Sequence, residues 1–290
     1  MIVNLADAKR ENGELVLEIK KEIDKSEVDN LYKSLESLKH YKQIRNLYRI
    51  SVDNGNELIR FLKIIYDSNC SKPFNNSDKI IMEGNRLLAN YSSFIGMLID
   101  QIEKVLSNIE SRRIKQFRST CSDLYNNNFE YRFFIIMRNF ILHYDLPFTF
   151  YSESFVDGRK LELQKEHLLR FAKWKHVKED LIKMDDRINV LPMIHPMNVN
   201  LTVLFFDFIY NLADKLIYAY EKAGEFIIRH GIKNPAVVSY ESIEEFKNGN
   251  MNVSYIDFTN LQDAFNDIKA HPKIELKIND ITPDWLKNNH

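Results

Sequence analysis

The chain has 290 residues, with 40 Lys/Arg against 41 Asp/Glu for a formal net charge of −1, so no global positive field exists to hold nucleic acid and any such binding must rely on local patches. A hydrophobic content of 44% with 28% charged residues is that of a folded globular protein long enough for a sizeable core, not of a disordered one. Only 8 Gly and 7 Pro argue against a turn-rich all-β fold, while 19 Phe and 14 Tyr supply aromatic material for cores and interfaces.

Taken in chain order, residues 1–52 mix a strand at Leu15–Ile19 with a charged helix near 27–40. Their ten Lys/Arg and nine Asp/Glu nearly cancel, which reads as a solvated surface region. Asn54-Gly55-Asn56 can open a helix that runs to about Asp67. After the loop at residues 71–76, Ser77 is a candidate N-cap. Ile81, Leu87, Leu88, Tyr91, Ile95, Leu98, Ile102 and Leu106 then recur at helical spacing to about Ser111. A further helix near 113–125 stops at Asn126-Asn127-Asn128.

The next helix, about 129–145, ends at Asp145-Leu146-Pro147, because a residue before proline is pushed out of helical conformation. Phe148–Val156, a turn at Asp157-Gly158 and Lys160–Leu163 read as a β-hairpin. Residues 165–190 look helical, and after Pro192 and Pro196 a long helix near 198–230 meets Gly231 as its C-terminal stop. Residues 233–290, with six Lys and nine Asp/Glu, alternate short strands with one short helix and form an acidic appendage.

The expected architecture is therefore mainly α. It divides into an N-terminal α/β region at 1–76, a helical bundle at 77–232 with a hairpin at about 148–163, and a small α/β region at 233–290. No apolar stretch reaches the ~20 residues that cross a bilayer, and the N-terminus lacks the apolar core of a signal peptide. Cys70 and Cys121 show no metal-type spacing and give no disulfide framework. A cytoplasmic protein with reduced thiols, and with neither metal nor cofactor, is the expectation.

The 129–145 helix carries the chemistry. Nearly all of it is apolar: Tyr131, Phe133, Phe134, Ile135, Ile136, Met137, Phe140, Ile141 and Leu142. A helix apolar on most sides is buried, in the bundle or against a partner subunit. At ~100° per residue from Glu130, Arg132, Asn139 and His143 fall at about 200°, 180° and 220° and form one polar stripe. Arg138 lies at about 80°, beside Asp145, and roughly 140° from His143, so the two cannot meet side by side on one straight helix. A second copy of the helix could close that gap.

Arg138-Asn139-Phe140-Ile141-Leu142-His143 is similar to the Arg-Asn-x-x-x-His form of the Arg-x(4–6)-His motif of the HEPN superfamily. The resemblance spans about 77–232, with its motif specificity confined to these six residues. It implies a helical bundle, a homodimer with two motifs meeting at the interface, and a metal-independent endoribonuclease of toxin or anti-phage defence systems. In such a site the 2′-hydroxyl attacks the adjacent phosphorus and leaves a cyclic phosphate. By that likeness His143 does acid–base work, Arg138 grips phosphate and Asn139 orients, with RNA as substrate and an antitoxin or activator protein as a further partner. Some HEPN toxins carry Arg-x(4)-His-x-Tyr, whose tyrosine is modified by a partner enzyme. Here Tyr144 comes one place early, which sets that form of regulation aside.

Arg132 and Tyr144, with Arg170, Lys173, Trp174 and Lys175 in the run Arg170–Lys178, are candidate RNA contacts, since cations interleaved with aromatics can bind phosphates and stack bases. The plainer reading of that run is an amphipathic helix with Phe171, Trp174 and Val177 inward, and the basic cluster at 112–118 reads the same way. The plainer reading of His143 is a cation favoured near a helix C-terminus, with Arg138 paired to Asp145 or to another helix. The rival functional class is a non-catalytic, dimeric protein-interaction or RNA-binding module.

Overall fold

The computed structural model describes residues 1–277 apart from Asn12, Asp157, Lys233 and Asp257. Its elements in chain order are β1 (Ile2–Glu11), β2 (Glu14–Glu22), α1 (Lys25–Ser34), α2 (Glu36–Tyr66), α3 (Ser77–Ile109), α4 (Ser111–Asn127) and α5 (Phe129–His143). They continue as β3 (Tyr151–Ser154), β4 (Gly158–Leu161), β5 (Leu163–Gln164), α6 (Lys165–Leu169), α7 (Val177–Lys183), β6 (Arg187–Ile188) and α8 (Leu191–His230). The last are β7 (Pro235–Tyr240), α9 (Ile243–Lys247), β8 (Asn252–Tyr255) and α10 (Thr259–Ala270). Helices hold 64% of the described residues and strands 15%, so the protein is mainly α. Among those residues no helix is long and apolar enough to cross a membrane.

The chain forms two compact units, one of Met1–Lys42 with the described part of Ile209–His290, the other Gln43–Phe208. This grouping cuts across the expected segments 1–76, 77–232 and 233–290. The reason is strand pairing: β1 hydrogen-bonds to β7, more than 200 residues away, and α2 and α8 each contribute to both units.

In the first unit a four-stranded sheet runs in the order β2-β1-β7-β8, all neighbours antiparallel. Strand β1 is one of its two inner strands, with Leu5 and Ala6 fully buried. The reading of residues 1–52 as a solvated region therefore needs correction. Ile2, Val3 and Leu5 carried a strand signal, but Ala6, Asp7 and Ala8 have poor β propensity and obscured it. Pairing compensates: Asp7 accepts from the Asn234 amide, and Asn4 donates to the Tyr240 hydroxyl at 2.9 Å. Val28, Leu31, Leu35, Leu38 and Tyr41 follow at three- and four-residue steps through α1 and the start of α2 and are all buried, so burial of one apolar stripe specifies this helical segment. The part of the acidic C-terminal region beyond residue 277, with His290, lies outside the described residues.

In the second unit α3, α4 and α5 pack together, α5 against α7, and two-stranded sheets form from β3 with β4 and β5 with β6. Strand β3 pairs antiparallel with β4 from Tyr151↔Leu161 to Ser154↔Gly158, and Gly158 takes a φ of +70°, which favours glycine. The turn expected at Asp157-Gly158 falls partly on Asp157, outside the described residues.

Three local expectations change. Asn54-Gly55-Asn56 does not open a helix, because α2 runs through it without a break. Gly55 is there for close approach: a Cβ on it would stand 2.8 Å from Asn198 Oδ1 and 2.8 Å from the Tyr91 ring. Ordinarily Gly→Ala inside a helix gains up to ~1 kcal/mol. Here overpacking of ~1–3 kcal/mol opposes that gain, so Gly55→Ala is expected to destabilise by about 1 kcal/mol and lower the melting temperature by a few degrees. A rise in melting temperature would contradict the packing account.

Residues 165–190 are not one helix. Leu168, Phe171, Trp174, Val177 and Leu181 are all buried at helical spacing, but α6 ends at Leu169, Lys175 takes a φ of +53°, and α7 starts afresh at Val177. The Leu168 carbonyl, freed from a continuing helix, accepts from the Phe171 N–H at 3.0 Å and from the Trp174 indole at 2.6 Å. Finally, α8 begins at Leu191 rather than near 198, with Pro192 in its first turn, where no intrahelical amide is needed, and Pro196 inside it.

Candidate functional site

Helix α5 is the centre of the second unit. Tyr131, Phe133, Phe134, Ile136, Met137 and Phe140 are buried. Phe134 meets Tyr91 of α3 edge-on at 5.0 Å, and Phe133 and Phe140 stack on Trp174 at 6.0 and 5.7 Å between centroids. The helix ends where the Tyr144 amide donates to the Phe140 carbonyl. Its exit is then held by Asn85 of α3, whose amide accepts from the Phe148 N–H at 2.9 Å and donates to the Phe148 carbonyl at 2.7 Å.

Within this frame the motif divides. Arg138 turns toward α3. Its stem lies over Gly96, where a Cβ would stand 2.5 Å from Arg138 Cδ, and its Nη2 is 3.4 Å from Asp100 Oδ2. The pair is open to water, Arg138 33% and Asp100 62% exposed, so it is screened and worth at most ~1 kcal/mol. Asn139 is half-buried and His143 exposed, and the described residues give neither side chain a hydrogen-bond partner. No hydrogen bond or ion pair joins Arg138 to His143 within the chain. A phosphodiester therefore does not find both groups converging in one protomer.

Arg132, on the same stripe as His143, is committed to structure. Its Nε donates to Asp180 of α7 at 2.9 Å, and both side chains are largely shielded. Its Nη1 reaches the Tyr125 and Asn126 carbonyls at the end of α4, where a cation is favoured. This guanidinium ties three elements together and is not presented to a ligand, which corrects the RNA-contact expectation at Arg132.

The expectation also fails at Trp174, which is fully buried, stacked on Phe133 and Phe140 and set edge-on to Phe171. No base can reach it. Of its neighbours, Arg170 donates to Glu166 at 2.8 Å, and that exposed carboxylate raises the arginine's affinity for its proton. Lys173 and Lys175 are exposed. Tyr144 is exposed as well, with its ring 5.2 Å from Phe140 and 5.7 Å from Phe171.

One residue at this end of α5 had no sequence signal of its own. His167 of α6 is largely shielded, edge-on to Phe140 at 5.6 Å, with Nε2 3.1 Å from the Leu146 carbonyl and 3.7 Å from Asp145 Oδ2. The imidazole fastens the loop that follows α5. Twenty-four residues separate His167 from His143, and only the fold brings it beside the motif helix. The basic run at 112–118 is partly neutralised by acids, Arg118 with Glu103 at 3.0 Å and Arg113 with Glu110 at 3.1 Å.

Cys121 is half-buried, and this desolvation pushes its thiol up to about 11, while the exposed Cys70 thiol is raised by its hydrogen bond to Asp67. Neither is poised as a thiolate nucleophile. Among the described residues no group of three His, Cys, Asp or Glu is placed to hold a metal ion.

A scan of protein-family models and searches of curated proteins and of solved structures return no match to this chain.

Proposed function

We propose that this protein is a metal-independent endoribonuclease of HEPN type, in which two copies of the 43–208 unit bring their α5 ends together to form one RNA-cleaving cleft. The reading takes this unit as a HEPN-like bundle carrying the β3–β4 hairpin as an insertion, and the protein as a cytoplasmic toxin or anti-phage effector held in check or triggered by a partner protein. It rests chiefly on His143, an exposed imidazole without an internal partner at the end of an otherwise buried helix. Its chain neighbours Leu142, Tyr144 and Leu146 are exposed, the kind of apolar surface that a subunit interface covers.

In the dimer each His143 can take or give the proton of the 2′-hydroxyl or the leaving 5′-oxygen. Arg138, exchanging exposed Asp100 for a phosphate, supplies a fixed positive charge to the crowded oxyanions. Asn139 orients the imidazole or a phosphate oxygen.

The test is incubation of the purified protein with RNA in the presence of a chelator. Wild type is expected to leave 2′,3′-cyclic phosphate ends. His143→Ala is expected to lower cleavage by at least ~100-fold, the scale of one lost acid–base group, with the circular dichroism and melting temperature unchanged. Cleavage that survives His143→Ala refutes the assignment.

The Arg138–Asp100 pair favours a second reading, a non-catalytic dimeric interaction or RNA-binding module. RNA bound but never cut by wild type would support it.

A further inference from the structure

Strand β2 is an outer strand of the first unit's sheet, paired to β1 on one side. All but one of its nine residues are exposed. Alternation divides it into two faces. Leu15, Leu17 and Ile19 share the face of their β1 partners Arg10, Ala8 and Ala6, while Glu14, Val16 and Glu18 occupy the other. Leu15 is 54% and Ile19 39% exposed. Outer strands are normally guarded by charges, prolines or early bulges, because their free N–H and C=O groups template further pairing. Over Glu14–Ile19 the charges sit on one face only, the next charge on the Leu17 face being Glu22 opposite Asn4, and the bulge comes late, where Lys20 is the extra residue between the pairs Ala6↔Ile19 and Leu5↔Lys21. Residues 14–19 present an unguarded apolar row.

The row is complementary to itself. Set antiparallel to a second copy about a two-fold axis at Leu17, the strand places Leu15 opposite Ile19, Leu17 opposite its own mate and Glu14 opposite Lys20. Lys20 lies on the correct face, with its ammonium 2.5 Å from Glu18. Moving the axis to Val16 sets Glu14 against Glu18, and moving it to Glu18 sets that carboxylate against itself. An axis at Ile19 puts Leu17 opposite Lys21 and Val16 opposite Glu22. Only the Leu17 register pairs apolar with apolar along the face and opposite charges at both ends, and cross-strand pairs of these kinds stabilise sheets where like charges do not.

We infer that β2 is a self-association edge, at which two copies of this chain join their four-stranded sheets into one of eight strands about an axis through Leu17. This surface belongs to the first unit and does not depend on the ribonuclease reading, so His143→Ala leaves it intact.

The experiment combines sedimentation of the full chain with a register-specific crosslink. Leu17→Cys is made in a Cys70→Ser background and oxidised. It is expected to crosslink to twice the 34.4 kDa chain mass, whereas Val16→Cys, which faces Glu18 instead of itself, crosslinks at least tenfold less. Leu15→Lys with Ile19→Lys in that same Leu17→Cys chain is expected to abolish the crosslink while the helical signal persists. Failure of Leu17→Cys to crosslink at high micromolar concentration, equal crosslinking at position 16, or a crosslink indifferent to the two lysines would each overturn the assignment. Any dimer that then remained would belong to another surface, the α5 ends or a different partner strand included.

Discussion

Trp174→Ala is expected to destabilise the 43–208 unit by roughly 3–5 kcal/mol, the range for truncating a fully buried large aromatic side chain. Three aromatic partners lose their contact at once, Phe133, Phe140 and Phe171, and the Leu168 carbonyl keeps only backbone donors such as the Phe171 N–H. The surroundings have little freedom to collapse into the void, because Phe133 and Phe140 belong to the rigid α5 and their other faces are already packed. At roughly 2–4 °C per kcal/mol for a unit of this size, the melting temperature should fall by about 10 °C. Differential scanning calorimetry measures this directly. An unchanged melting transition accompanied by weaker RNA binding would instead return Trp174 to the ligand-contact role that its sequence context suggested.

Asn85→Ala should be nearly as damaging, by a different route. One buried amide serves both backbone groups of Phe148, accepting from the N–H and donating to the carbonyl. Alanine leaves a donor and an acceptor buried without partners, at ~1–3 kcal/mol each, for a total of about 2–6 kcal/mol. Asn85→Asp keeps the acceptor for the N–H but buries a carboxylate against a carbonyl oxygen, so it gives no rescue near neutral pH and recovers stability as the medium becomes acidic enough to protonate it. Denaturant unfolding of the two variants at neutral and mildly acidic pH distinguishes this account from simple loss of side-chain volume, which would show no such pH dependence. Because the Asn85–Phe148 clamp holds the exit of α5, its loss is also expected to loosen the chain just beyond His143.

Helix α5 was legible residue by residue. Its mainly apolar content required burial, which Tyr131, Phe133, Phe134, Ile136, Met137 and Phe140 meet, and it ends at His143, four residues before Pro147. The spacing of Arg138 and His143 also foretold that they would not meet within one chain, as the contact of Arg138 with Gly96 and Asp100 bears out. Periodicity misled at 165–190, because a row of buried residues at helical spacing is equally served by two short helices joined by a turn that sinks Trp174. It misled again at Gly55, where a helix-opening signal was in fact a contact point.

What the sequence determined by itself is local: which segments hide an apolar stripe, where prolines and caps end them, and which few polar residues interrupt the most apolar helix. What only the tertiary structure decided is partnership. That β1 is an inner strand of a sheet follows from its pairing with a strand more than 200 residues away. That Arg132 is spent on Asp180, that His167 stands beside the motif helix, and that β2 is left with one side unpaired follow equally from long-range packing. Hydrophobic period and capping act over a few residues and are written in the chain, whereas a side chain's availability depends on which remote group reaches it first.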